Sequence, residues 1–84
     1  MYSYVFKPQA VKDLKKLPKS TQIRIFKKLD YFVSKDNPLS FADRLINFEI
    51  GSFRFRIGDY RIIFDLEEDT LIILTLGHRR EIYK

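Results

Sequence analysis

The apolar residues of this chain change their spacing once, about halfway along, and that switch limits the folds open to it. In residues 9–17 they stand at Ala10, Val11, Leu14 and Leu17, and further on at Ile25, Phe26, Leu29, Phe32 and Val33. Steps of three and four place each set on one face of a helix. Lysines at 12, 15 and 16 take the opposite side of the first helix, and Pro18 is expected to end it. Ser20 or Thr21 is expected to cap the second helix, which runs to about Ser34.

Beyond residue 45 the spacing becomes two. Ile46, Phe48 and Ile50 predict a strand before a turn at Gly51-Ser52. Phe53, Phe55 and Ile57 predict the next, and Gly58-Asp59 a tight turn. Tyr60, Ile62, Phe64 and Leu66 form a third, and residues 67–69 turn the chain again. Residues 71–76 are apolar on both faces, as in a strand covered on each side or placed centrally. A short strand over residues 2–6 precedes Pro8, where a helix begins. Asp36-Asn37-Pro38 is a turn cluster, and the stretch to Arg44 reads as a loop or a single helical turn.

The order is therefore βααββββ. An antiparallel meander with one apolar face needs a cover, and the helical hairpin carries matching stripes. The expectation is a two-layer α+β domain with the N-terminal helical hairpin packed on a mainly antiparallel sheet, one domain over residues 1–84. A chain of 84 residues buries only roughly 60% of the surface its unfolded form exposes. Hydrophobic residues at 45% nevertheless exclude a disordered chain.

Without cysteine, and with a single histidine, the chain offers no thiolate site and no histidine cluster, so no metal and no cofactor are expected. No window approaches the roughly 20 apolar residues that cross a bilayer, and the N-terminus lacks the pattern of a signal peptide. A cytoplasmic location without membrane association is expected. The net charge of +5 favours polyanionic partners, because each phosphate neutralised releases condensed counterions.

Placement of the charges sharpens this. Alternation along the strands puts Arg54, Arg56 and Arg61 on the face opposite Phe53, Phe55, Tyr60 and Ile62. A tight hairpin at Gly58-Asp59 brings Arg56 and Arg61 together, an arrangement that opposes folding unless an anion is held there. Arginine suits bidentate phosphate contacts. The alternative is that these arginines pair with Asp59, Asp65 or Glu49 and cover apolar surface with their stems. The tail adds His78, Arg79, Arg80 and Tyr83 within six residues. Metal-independent RNA cleavage needs an acceptor for the 2′-hydroxyl proton, cations for the crowded phosphate, and a donor to the leaving 5′-oxygen. His78, Arg79 and Tyr83 are candidates for those tasks, with Arg80 as a further cation for RNA.

The run Phe53-Arg54-Phe55-Arg56-Ile57-Gly58-Asp59-Tyr60-Arg61-Ile62-Ile63-Phe64, with Gly77-His78-Arg79-Arg80-Glu81-Ile82-Tyr83, resembles the hallmark segments of RelE/ParE-superfamily toxins. Tyr4-Val5-Phe6, Ala10 and Lys12-Asp13-Leu14-Lys15-Lys16-Leu17-Pro18 are similar to the family's opening strand and helical hairpin, so the resemblance spans nearly the whole chain. It implies a fold shared with microbial ribonucleases and, for a RelE-type member, a toxin of a type II toxin-antitoxin system. Such a toxin is an endoribonuclease (an mRNA interferase) that enters the ribosomal A site, cuts messenger RNA there and so inhibits translation. By the same resemblance Arg54 and Arg56 contact the messenger, Arg61 stabilises the transition-state phosphate, Arg79 assists the leaving group, and Tyr83 stacks on the substrate.

One departure bears on mechanism. Several RelE proteins carry lysine, a proposed general base, where this chain has Arg54 and Arg56, and arginine does not lose a proton at neutral pH. Proton removal then falls to His78, Tyr83, a carboxylate such as Asp43 or Glu49, or ribosomal RNA. The resemblance also covers ParE-type toxins, which share the fold and poison DNA gyrase. A third reading is a basic module that occupies RNA or the ribosome without cutting. The implied partners are the ribosome, messenger RNA and a cognate RelB-like antitoxin that forms a hetero-oligomer with the toxin. The antitoxin is expected to wrap the chain with a helix, for which the helical hairpin offers a groove, and with a strand.

Overall fold

The computed structural model describes residues 1–46 and 49–82. It contains β1 (Ser3–Phe6), α1 (Pro8–Lys15), α2 (Lys19–Val33), a 3-10 turn at Pro38–Phe41, β2 (Ala42–Arg44), β3 (Phe53–Ile57), β4 (Tyr60–Glu67), β5 (Thr70–His78) and α3 (Arg79–Ile82). The five strands form one sheet in the order β1-β5-β4-β3-β2. β1 runs parallel to β5, pairing Tyr4 with Leu71 and Phe6 with Ile73, and the other neighbours are antiparallel. The expected two-layer α+β architecture holds.

The two helical stripes meet the apolar face of the sheet. Ala10, Leu14, Ile25, Leu29 and Phe32 are buried against Phe55, Ile57, Ile62, Phe64, Leu71, Ile73 and Leu76. Phe55 lies at the centre, its ring 4.4 Å from both Phe32 and Phe64. Ring pairs of this kind contribute about 0.5–1.5 kcal/mol beyond the area they bury. Two polar ties fix the helices to the sheet. The Tyr4 hydroxyl donates to Asp30 at 2.7 Å, joining β1 to α2. Asp13 on α1 accepts from the Thr75 hydroxyl at 2.6 Å and from the Leu76 backbone N–H at 3.2 Å, where β5 has run past the end of β1. Burial works to raise the Asp13 carboxyl, but hydrogen bonds from Thr75, Gln9 and Leu76 and the charge of Lys16 bring it below its ordinary value.

Several boundaries differ from the sequence reading. α1 begins at Pro8 as expected but ends at Lys15, where its last turn tightens, with Lys16 and Leu17 donating to the carbonyls three residues back, so Leu17 packs on the core from outside the helix. Neither Ser20 nor Thr21 caps α2. The helix starts at Lys19 after an extended Pro18, whose carbonyl accepts from Gln22 N–H, while the Gln22 side chain donates to the Leu17 carbonyl. The stretch before Arg44 is the single turn of helix at Pro38–Phe41, with the Asn37 side chain accepting from Leu39 N–H.

The largest correction concerns β2, which lies at Ala42–Arg44, ahead of the expected strand at Ile46, Phe48 and Ile50. Ile46 is 96% exposed, Ile50 is exposed, and Phe48 lies outside the described residues. The ladder with β3 forms where Asp43 stands opposite Arg54 and neutralises it, a cross-strand term that the alternation of apolar residues does not register.

Gly51 and Ser52 lie over the second face of the sheet. A Cβ at Gly51 would lie 2.5 Å from Ile63 Cγ2 and 3.0 Å from Leu74 Cδ1, and Ile63 is fully buried although it faces away from the helices. Ser52 N–H is held by Asp65 at 2.9 Å. β5 thus has β1 and β4 as neighbours and partial cover on each face, which accounts for its two apolar faces. The remainder of the second face carries Arg54, Arg56 and Arg61. Among the described residues no helix is long and apolar enough to cross a membrane.

Candidate functional site

Arg56 and Arg61 stand directly opposite each other in the β3–β4 ladder, and the next pair outward on the other face is Ile57 with Tyr60. The two-residue turn Gly58-Asp59 closes this hairpin, with Gly58 at φ +59°. A positive φ at the first central position is the backbone of the glycine-led hairpin turn, whose twist matches that of the strands. The turn forces two guanidinium-bearing residues side by side on the open face.

The arginines are not left unconstrained. The Asp43 carboxylate accepts from Arg54 Nη2 at 2.9 Å and from Arg56 Nε at 3.0 Å, so one carboxylate serves two cations. The Arg54 hydrogen bond holds the Asp43 carboxyl below its ordinary value; partial burial opposes this and the Arg56 charge adds to it. Arg61 Nη1 donates to the carbonyls of Gly58 at 2.8 Å and Tyr60 at 3.0 Å. Arg79 opens α3 beside the same turn. Its N–H donates to the Asp59 carbonyl at 2.7 Å and its Nε lies 3.7 Å from the Asp59 carboxylate.

Arg61 and Arg79 are thus brought to one turn, and Arg54 and Arg56 to the adjoining open face. His78 is not brought to that face. It pairs with Tyr60 across β4 and β5, edge-on at 5.6 Å, and lines a depression of about 310 Å³ with Asp13, Lys16 and Glu81. Its Nδ1 accepts from Arg80 N–H at 3.1 Å, which places the proton of the neutral ring on Nε2. Arg80 is exposed on α3, and Tyr83 lies outside the described residues.

Sequence reasoning misses two contributors. It offers Asp43 only as a proton acceptor and matches the arginines with Asp59, Asp65 and Glu49. Arg24, on α2, carries no signal of its own. A Cβ at Gly58 would stand 2.7 Å from its Nη2 and 2.8 Å from its Nη1, so the guanidinium rests against the turn from the helix side. No periodicity reveals that approach, because it depends on how α2 crosses the end of the hairpin. Chemically, the arrangement concentrates cations around a turn and one strand face, as binding of phosphate oxygens requires. Among the described residues no group of three or more histidine, aspartate or glutamate side chains stands ready to hold a metal ion.

Comparison with known proteins gives the family and the fold. A family model described as the ParE toxin of the type II toxin-antitoxin system parDE matches residues 4–83. No curated protein sequence matches. Among solved structures, a chain of the RelBE2 toxin-antitoxin complex from Mycobacterium tuberculosis is 29% identical with a TM-score of 0.81, covering 93% of this chain and 98% of that one. A chain of the RelB-RelE complex from Methanococcus jannaschii is 28% identical with a TM-score of 0.74, covering 95% of each. The E. coli RelBE complex contains a chain with the same fold at 17% identity, TM-score 0.69, covering 93% of this chain and 96% of that one.

Proposed function

The chain belongs to the ParE toxin family of type II toxin-antitoxin systems, within the RelE/ParE superfamily, and on that premise we propose that it is a metal-independent endoribonuclease cutting messenger RNA in the ribosomal A site. The observation that carries this reading is the convergence of Arg56, Arg61 and Arg79 on the Gly58-Asp59 hairpin. In the proposed reaction the 2′-oxygen loses its proton and attacks the adjacent phosphorus, the bond from phosphorus to the 5′-oxygen breaks, and the 5′-oxygen leaves with the electron pair and takes a proton from water. The products are a 2′,3′-cyclic phosphate and a 5′-hydroxyl. Arg61 stabilises the charge that builds on the non-bridging oxygens and Arg79 assists the departing oxygen. Arg54, Arg56 and Arg80 hold neighbouring phosphates, and Tyr83 stacks on the base.

The arginines cannot remove the 2′-hydroxyl proton. Asp43 is committed to two of them with a depressed pKa, and His78 offers Nδ1 to Arg80. Proton removal is accordingly assigned to Tyr83, to Glu49 or to ribosomal RNA. A cognate antitoxin restrains the protein, a reading supported by neighbours that are themselves toxin-antitoxin complexes.

The test is primer extension on translated and untranslated messages after expression of the chain. Cuts inside codons of translated messages only are expected. Arg61→Ala should lower cleavage at least about 100-fold, the typical loss when one preorganised donor to a developing charge is removed. Its thermal melt should change little, because among the described residues Arg61 bonds to the turn carbonyls of Gly58 and Tyr60 near the surface. The match to a ParE family model favours a second reading, poisoning of DNA gyrase. Intact messages together with gyrase-linked DNA breaks would establish that reading instead.

A further inference from the structure

The solvent side of α2 holds a groove of about 480 Å³ lined by Ser20, Ile23, Arg24, Lys27, Lys28 and Tyr31. Arg24, Lys27 and Lys28 are spaced three and four apart, so like charges are neighbours on the helix surface, an arrangement that disfavours the helix on its own. All three are exposed, and none makes an ion pair among the described residues. No carboxylate lines the groove, and Asp30 of the same helix is engaged by Tyr4.

Arg24 belongs to two places at once. Its guanidinium rests on Gly58, whose carbonyl accepts from Arg61, while Arg79 faces Asp59 in the same turn. The cationic surface of the proposed cleavage site therefore does not stop at the hairpin but continues through Arg24 onto α2. At the far end Tyr31 is 47% exposed, with Lys35 Nζ 4.6 Å and Lys28 Nζ 5.9 Å from its ring centre. A run of cations ending on an exposed aromatic ring is the arrangement that follows a single-stranded backbone and stacks a base without reading sequence.

We propose that this face of α2 is a second binding segment for single-stranded RNA, taking the phosphates of the substrate strand beyond the arginine cluster, with Arg24 as the junction. The proposal rests on the nuclease reading for the identity of that strand. An amphipathic acidic helix fits the groove less well: Lys27 falls between Ile23 and Tyr31 and interrupts the apolar row such a helix needs.

The experiment measures binding of 2′-O-methyl RNA oligonucleotides of increasing length, which cannot be cut, to the wild type and to a triple variant carrying Arg24→Ala, Lys27→Ala and Lys28→Ala. Wild-type affinity should rise with length, and the triple variant should gain nothing from added length. The slope of log affinity against log salt for long oligonucleotides should fall by about two, at about 0.7 for each phosphate that the variant no longer neutralises. An unchanged thermal melt and retained antitoxin binding would show that the variant is folded. A triple variant that keeps the full length gain would overturn the proposal. So would one that keeps RNA binding while losing the antitoxin, which would give this face to an acidic protein partner. A length gain abolished in the triple variant, in a protein that never cuts translated messages, would uphold the segment and remove the nuclease reading.

Discussion

Asp43 makes the arginine face tolerable to the folded chain before any substrate arrives. Arg54 and Arg56 both donate to its Oδ2, so the carboxylate occupies the position a phosphate oxygen would take. In the proposed function an incoming phosphate competes with it. Asp43→Asn should therefore tighten binding of uncleavable RNA several-fold, read by fluorescence anisotropy; weaker binding would mean that Asp43 orients the guanidiniums and does not compete for them. Because its folded pKa is depressed, the stability Asp43 contributes is present above its unfolded pKa of about 4 and is lost as pH falls through the folded value. That Arg54, Arg56 and Arg61 share a face was legible from strand alternation, a purely local rule. That Asp43 joins them was not, since it depends on which short segment becomes β2. The contact of Arg24 with Gly58 was equally hidden, because Gly58 reads as a turn glycine whether or not a guanidinium rests on it.

Individual elements were legible in proportion to how far their own residues determine them. The stripes of α1 and α2 and the alternation of β3 each bury one face, β4 buries Ile63 on its second face as well, and all four form where the spacing puts them, within a few residues. α3 is four residues long, too short to show a period. At this scale the tie between β1 and α2 has a measurable signature. Burial, then the hydrogen bond and charge of Asp30, raise the Tyr4 hydroxyl from its ordinary 10 to about 12. A raised pKa means the protonated form is favoured in the folded state. The contribution is therefore complete below about pH 10 and disappears as pH rises from 10 through 12. Tyr4→Phe should be less stable than the wild type at neutral pH, and the difference should vanish across that window in denaturant melts. A difference that stayed constant to pH 12 would show that the Asp30 contact contributes nothing through the proton.

For the molecule as a whole, the pairing of β1 with β5 matters most, because it joins residues near one end of the chain to residues near the other. Ser3 to Phe6 lie against Thr70 to Ile73, and Leu71 and Ile73 are fully buried. Deleting residues 1–6 should leave that edge of β5 unpaired, with loss of cooperative unfolding or aggregation in place of a simple drop in melting temperature. A truncated chain that melts sharply would show β1 to be dispensable. The parallel pairing also orders the steps of folding. During synthesis the first strand emerges well before the strand that receives it, since β1 ends at Phe6 and β5 begins at Thr70. A nascent chain that has not yet passed Thr70 cannot close its sheet, and it lacks the Arg79 that bonds to Asp59 at the hairpin turn. The cationic cluster is thus assembled only after both edges of β5 have found their partners.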